Sequence, residues 1–156
     1  MYNAASFIVL KSGDVLFGKF HDSHEFIIKE NGLTDKEPIG FVRVKIAPAG
    51  FNYLLPLDQW IYKRDQDIIP KWYNDEWGEK LCREKLCEWA STHIYSSGSH
   101  KFENGNFSLI FIGNAKAEII GQTGGECWFY DTSTGTVSGQ TGGDCWFLEK
   151  SKRIDK

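Results

Sequence analysis

The chain carries the nonapeptide GQTGGECWF at 121–129 and again, as GQTGGDCWF, at 139–147. The copies differ only at Glu126 and Asp144 and stand eighteen residues apart. Catalysis needs such a motif once, whereas a stack needs equivalent positions in successive turns, so the duplication argues for repetitive structure. Shorter units follow one pattern of a small residue, any residue and a medium apolar one: Ala115-Lys116-Ala117, Gly125-Glu126-Cys127, Gly135-Thr136-Val137 and Gly143-Asp144-Cys145. Each is one short strand plus a turn and cannot bury a face alone. Two units per turn make an eighteen-residue coil of a β-solenoid, in which each coil covers its neighbour. Cys127 is then expected to stack with Cys145, Trp128 with Trp146 and Phe129 with Phe147, about 4.8 Å apart along the ladder. Alternation along the strand puts Cys127 and Phe129 on one face and Glu126 and Trp128 on the other, so if the first pair points inward the second points outward.

At 156 residues, 41% hydrophobic and 25% charged, the chain can bury a core without disulfide staples. A formal net charge of -3 argues against nucleic acid as a partner, because phosphate-backbone binding requires a basic face. No apolar run approaches the roughly 18 residues of a spanning helix, so no membrane partner is expected. The first residues lack the basic segment and long apolar run of a signal peptide. The expected location is the cytoplasm, where the four cysteines are reduced thiols acting as small apolar filler.

Before the repeats the punctuation is that of a small antiparallel sheet. The stretch 7–11, a turn at Ser12-Gly13-Asp14 and the stretch 15–20 read as a hairpin. A polar loop at 21–24 leads to an expected third strand at 25–29. The segment 41–46 alternates, with Val42, Val44 and Ile46 on one face and Phe41, Arg43 and Lys45 on the other. A short strand is expected at 60–63. From Asn74 the period becomes helical, through Trp77, Leu81, Cys82, Leu86, Trp89, Ala90 and Ile94. Asn74 suits the N-cap and Asp75 and Glu76 suit the first turn, while Gly78 weakens the helix by about 1 kcal/mol relative to Ala. The stretch 100–112 reads as a second hairpin about Asn104-Gly105. The predicted fold class is therefore α+β and β-rich. It comprises an α+β domain at 1–111 (a small antiparallel sheet with one main helix), a stacked β-repeat module at 112–150 and a tail at 151–156.

Catalytic signatures are absent: there is no phosphate-binding Gly-rich loop, nucleophile elbow or metalloprotease helix. The imidazoles of His21 and His24 lie close in sequence but lack a second recognisable ligand pair, so neither metal nor cofactor is expected. Asp65 and Asp67 share a face if extended. With a histidine from 21–24 they define the alternative of a nucleotide- or sugar-processing enzyme. The aromatic and basic string Lys71-Trp72-Tyr73 suits recognition of a small ligand. The outer pair Trp128 and Trp146 suits a stacking platform or a protein contact. These five residues are the candidate binding residues, and none is assigned a catalytic role.

The combination Leu57-Asp58-Gln59-Trp60, Asp65-Gln66-Asp67, Pro70-Lys71-Trp72-Tyr73 and Trp77, followed by short units such as Ile112-Gly113-Asn114-Ala115-Lys116-Ala117, resembles small uncharacterised proteins of phages and prophages from gut bacteria. The resemblance implies an interaction protein, made in the host cell, that binds or sequesters a host protein or a small signal molecule. A structural accessory of a phage particle is the further alternative. Open strand edges at a solenoid end invite association, so a homo-oligomer formed through the C-terminal repeat is expected.

Overall fold

The computed structural model describes residues 4–34 and 39–155. The chain forms two compact units, one of 4–18 with 22–89 and the other of 19–21 with 90–155.

The first unit is built on an antiparallel sheet. Its strands are β1 (Ala5–Leu10), β2 (Val15–Leu16), β3 (Phe41–Ala47) and β4 (Ile61–Arg64), in the order β2-β1-β3-β4. The expected hairpin forms, with Ile8 opposite Leu16 and Gly13 N–H donating to the Leu10 carbonyl at 2.9 Å. Ala5 to Val9 are all buried, which is why the apolar run of β1 does not alternate. On β3 the expected face of Val42, Val44 and Ile46 is buried, but Phe41 is buried as well.

The segment expected as a third strand is instead α1 (His24–Glu30). Ser23 caps it by accepting from Phe26 N–H at 3.2 Å, with Glu25 in the first turn and Lys29 in the last. These end signals outweigh the strand preference of Phe26-Ile27-Ile28. The helix then buries Ile27 and Ile28 in a cluster with Ile8 and Phe41.

The main helix, α2 (Asp75–His93), starts where the sequence places it, with Asn74 accepting from Trp77 N–H at 2.9 Å. Its buried stripe runs Gly78, Cys82, Leu86, Trp89 and His93, leaving Trp77 and Leu81 half-buried. Gly78 sits in that stripe for a steric reason. A Cβ there would stand 2.0 Å from the Tyr73 hydroxyl oxygen. The glycine that weakens the helix is thus what lets Tyr73 pack beneath it. Residues up to Trp89 belong to the first unit, and the last turn from Ala90 belongs to the second.

The second unit is a parallel β-solenoid of about three turns. Its strands are β5 (Ile94–Tyr95), β6 (Ser99–Asn106), β7 (Leu109–Phe111), β8 (Lys116–Phe129), β9 (Thr134–Ser138), β10 (Gly142–Phe147) and β11 (Lys152–Asp155). One wall is formed by β6, the first part of β8, β9 and β11. The other is formed by β5, β7, the last part of β8 and β10. Every one of these pairings is parallel, including β6 and β7 each with β8. The stretch 100–112 is therefore not a hairpin but the first coil, and Asn104 turns a coil corner instead of reversing a strand.

The expected register holds: Cys145 pairs with Cys127, Trp146 with Trp128 and Phe147 with Phe129. The eighteen-residue step continues beyond the near-copies, with Leu109 beside Cys127 and Lys152 beside Thr134. One corner is occupied in successive coils by Asn104, Gly121 and Gly139, at φ of 54°, 64° and 61°. This is the left-handed region that glycine adopts freely and asparagine tolerates best among the others. At another corner Asp131 accepts from Gly113 N–H at 2.8 Å, and one coil on Glu149 accepts from Asp131 N–H at 3.0 Å. Each acid satisfies an amide of the coil before it.

Inside, ring stacks on ring. Tyr95, Phe111, Phe129 and Phe147 form a column with centroid steps of 5.5, 4.6 and 4.4 Å and interplanar angles of 21°, 18° and 9°. The Arg153 guanidinium lies 5.9 Å from the Phe147 centroid and covers the last ring. Gln122, fully buried, fills the corner beside Cys127. Its side-chain carbonyl accepts from Gln140 Nε2 at 3.0 Å and from Cys145 Sγ at 3.2 Å, while its amide donates to the Gly124 carbonyl at 3.1 Å.

Among the described residues no helix is long and apolar enough to cross a membrane.

Candidate functional site

Outside the solenoid wall, Trp128 and Trp146 stack at 5.8 Å and 27°, and Tyr130 lies 6.4 Å from Trp128 at 12°. Trp128 therefore has stacked neighbours in both Tyr130 and Trp146 and is half-buried. The last ring is more open. Trp146 is 45% exposed, and on the same terminal coil Leu148 and Ile154 are 37% and 50% exposed. Among the described residues β10 pairs only with β8, and β11 only with β9, so both carry an open edge. Beside the tryptophans, Glu126 stands in register with Asp144. Burial, with Asp144 adding, raises the Glu126 pKa above the usual carboxylate value, while the Trp128 indole N–H donates to it at 3.3 Å.

The stacked thiols are free. The proximity of the two thiols raises the pKa of Cys127, which burial raises further, and lowers that of Cys145, with Arg153 adding to the lowering. Cys127 is wholly buried beside Phe129, in the place of an apolar core residue.

In the first unit Lys71 and Trp72 line a cleft of about 380 Å³ with Lys11, Ile39, Gly40 and the stretch 68–70. The Trp72 indole N–H donates to the Ile39 carbonyl at 3.1 Å, and the ring packs edge-to-face on Tyr73 and Trp77 at 6.0 and 6.2 Å. Tyr73 does not share this cleft. It is 7% exposed, and its hydroxyl is hydrogen-bonded to that of Tyr62, which in turn donates to Asp75 at 2.9 Å.

The residues considered for acid–base chemistry converge only in part. His24 Nδ1 lies 3.2 Å from Asp65, and Lys45 lies 3.4 Å from the same carboxylate. The other nitrogen of His24 faces the Val44 carbonyl at 2.8 Å. With both nitrogens engaged and a side chain 7% exposed, this imidazole ties α1 to β3 and offers no nitrogen to a substrate. Asp67 lies exposed past the end of β4. His93 is buried against the His21 carbonyl at 3.2 Å, and His100 bonds the Ser97 carbonyl at 2.8 Å, both in the other unit. Among the described residues no three His, Cys, Asp or Glu side chains gather as a metal ion requires.

One buried acid was not legible beforehand. Asp22 accepts from the Trp89 indole N–H at 3.0 Å, and burial pushes its carboxyl well above the usual range, against the pull of Trp89 and Lys45. Burial likewise lowers the His24 pKa, against the Val44 carbonyl and Asp65. The two act oppositely on stability. For Asp22 the folded state binds the proton more tightly, so its contribution is complete below about pH 4 and is lost as pH rises. For His24 the unfolded state binds the proton more tightly, so stability is lost as pH falls below about 6.5. Asp22→Asn is therefore expected to steepen the net rise of stability between about pH 4 and 6.5. Urea midpoints across that range, read by tryptophan fluorescence, test this, and an unchanged slope would show that Asp22 is ionised in both states.

No protein-family model, curated protein or solved structure matches the chain.

Proposed function

We propose that this chain is a non-enzymatic binding protein, phage-encoded as the resemblance implies, that pairs with a second copy through its last coil and acts by holding a host component. The terminal coil carries the reading. Trp146, Leu148 and Ile154 are each exposed on this coil, and both of its strands carry an open edge among the described residues. Such an end favours pairing with another edge, and a flat tryptophan contributes much contact area at little entropic cost. A second copy supplies an equivalent end, and a two-fold arrangement closes the assembly at a dimer. The engagement of both His24 nitrogens favours binding over catalysis.

Light scattering at tens of micromolar tests the proposal. The chain is expected to run as a dimer and Trp146→Lys as a folded monomer. A strict monomer at that concentration, or a dimer indifferent to Trp146→Lys, would overturn it.

A further inference from the structure

We infer that the cleft between Lys11 and Lys71 binds a small organic anion with a flat aromatic body, such as a mononucleotide or an aromatic carboxylate. This rests on the binding reading and names a ligand class for it, at a site separate from the terminal coil. Three observations converge on it.

The cleft measures about 380 Å³, within the range of pockets that enclose small ligands. Its walls are mainly apolar, from Ile39, Ile69, Pro70 and the Trp72 ring. That ring is held in place, because the indole N–H is committed to the Ile39 carbonyl and the ring packs against Tyr73 and Trp77. A ligand stacking there meets no cost of ordering the ring. Among the described residues the cleft's charged side chains are two ammoniums, with no carboxylate. Among the described residues neither Lys11 nor Lys71 is held in an ion pair, whereas Lys45, Arg64, Lys85, Lys101 and Arg153 all are. Two cations held in no ion pair among the described residues, lining an apolar slot, select a ligand that joins an anionic head to an apolar plate.

Gly40 supplies the means of testing this. A Cβ at Gly40 meets no atom within 4 Å and its φ lies outside the left-handed region, so a larger side chain there enters the cleft without strain on the fold. The probes are 8-anilinonaphthalene-1-sulfonate, read by fluorescence, with AMP and indole-3-acetate as competitors, and adenosine and indole as their uncharged counterparts. Both anions are expected to displace the probe, and the neutral counterparts to do so at least tenfold less well. The difference should shrink with rising salt. AMP displacing more strongly than indole-3-acetate points to a nucleotide, and the reverse order to a carboxylate. Gly40→Leu is expected to abolish the displaceable signal with an unchanged unfolding midpoint, and Lys11→Gln with Lys71→Gln to weaken both anions at least tenfold. Displacement that persists in Gly40→Leu, equal displacement by charged and neutral compounds, or none at millimolar concentration would overturn the assignment. Trp146→Lys should bind the anions like the parent chain, so failure at the cleft and failure at the terminal coil are read separately.

Discussion

Phe129→Ala is expected to destabilise the solenoid by about 3–5 kcal/mol, as for other fully buried large-to-small changes. Phe129 is wholly buried, with ring neighbours at 4.6 Å on one side and 4.4 Å on the other, so its loss opens a gap in the middle of the column. The neighbouring rings are held by strands in fixed register and cannot close on each other. Gly135 lies against the same ring: a Cβ there would stand 2.5 Å from Phe129 Cζ and 2.9 Å from Phe147 Cε1. Gly135→Ala alone should therefore destabilise by overpacking, about 1–3 kcal/mol. In the Phe129→Ala background its cost should fall, because the nearer clash is gone. Denaturant midpoints of the four chains, with amide exchange in β8 and β9 to assign the loss to the coils, test both the magnitude and the coupling. Strict additivity would mean that Phe129 and Gly135 do not share the space described.

In the first unit Trp89→Ala is expected to cost a similar 3–5 kcal/mol from the cavity, with about 1–3 kcal/mol more because Asp22 loses its indole donor. Trp89 and Trp60 are both buried and meet edge-to-face at 5.8 Å, and Trp60 meets Tyr53 at 6.0 Å. The Trp60 indole N–H donates to the Leu55 carbonyl at 3.1 Å, while its own carbonyl accepts from Arg83 at 2.8 Å. The pair therefore joins α2 to the approach to β4. Trp89→Phe keeps most of the volume and removes the N–H, so it should cost clearly less. Thermal unfolding of the two variants separates packing from the hydrogen bond, and equal losses would place the whole effect in the bond to Asp22.

The solenoid was legible because its register is written in the sequence. Two copies of nine residues, eighteen apart, fix the coil length and which residues share a face, and the face of Cys127 and Phe129 is the buried one. The first coil was not legible because it lacks a copy of the motif. Leu109-Ile110-Phe111 fills the positions of Cys127-Trp128-Phe129 with ordinary strand residues, and Asn104-Gly105 imitates a hairpin turn. At α1 the sequence holds two conflicting signals, a β-prone Phe-Ile-Ile and a serine cap, and burial against Ile8 and Phe41 decides between them. The cleft could be only half anticipated. Lys71 and Trp72 are neighbours in sequence, but Lys11 and Gly40 reach them only through folding. Tyr73, next in line, turns the other way because Gly78 leaves it room.

The near-constant step between coils also bears on how this part of the molecule assembles. In most β-rich folds, strands far apart in sequence must meet, and the entropy of closing those loops slows folding. Here each added coil closes a loop of seventeen or eighteen residues onto a surface already formed. The chain entropy lost per coil is then nearly the same at every step, so lengthening the stack adds layers without adding a harder closure.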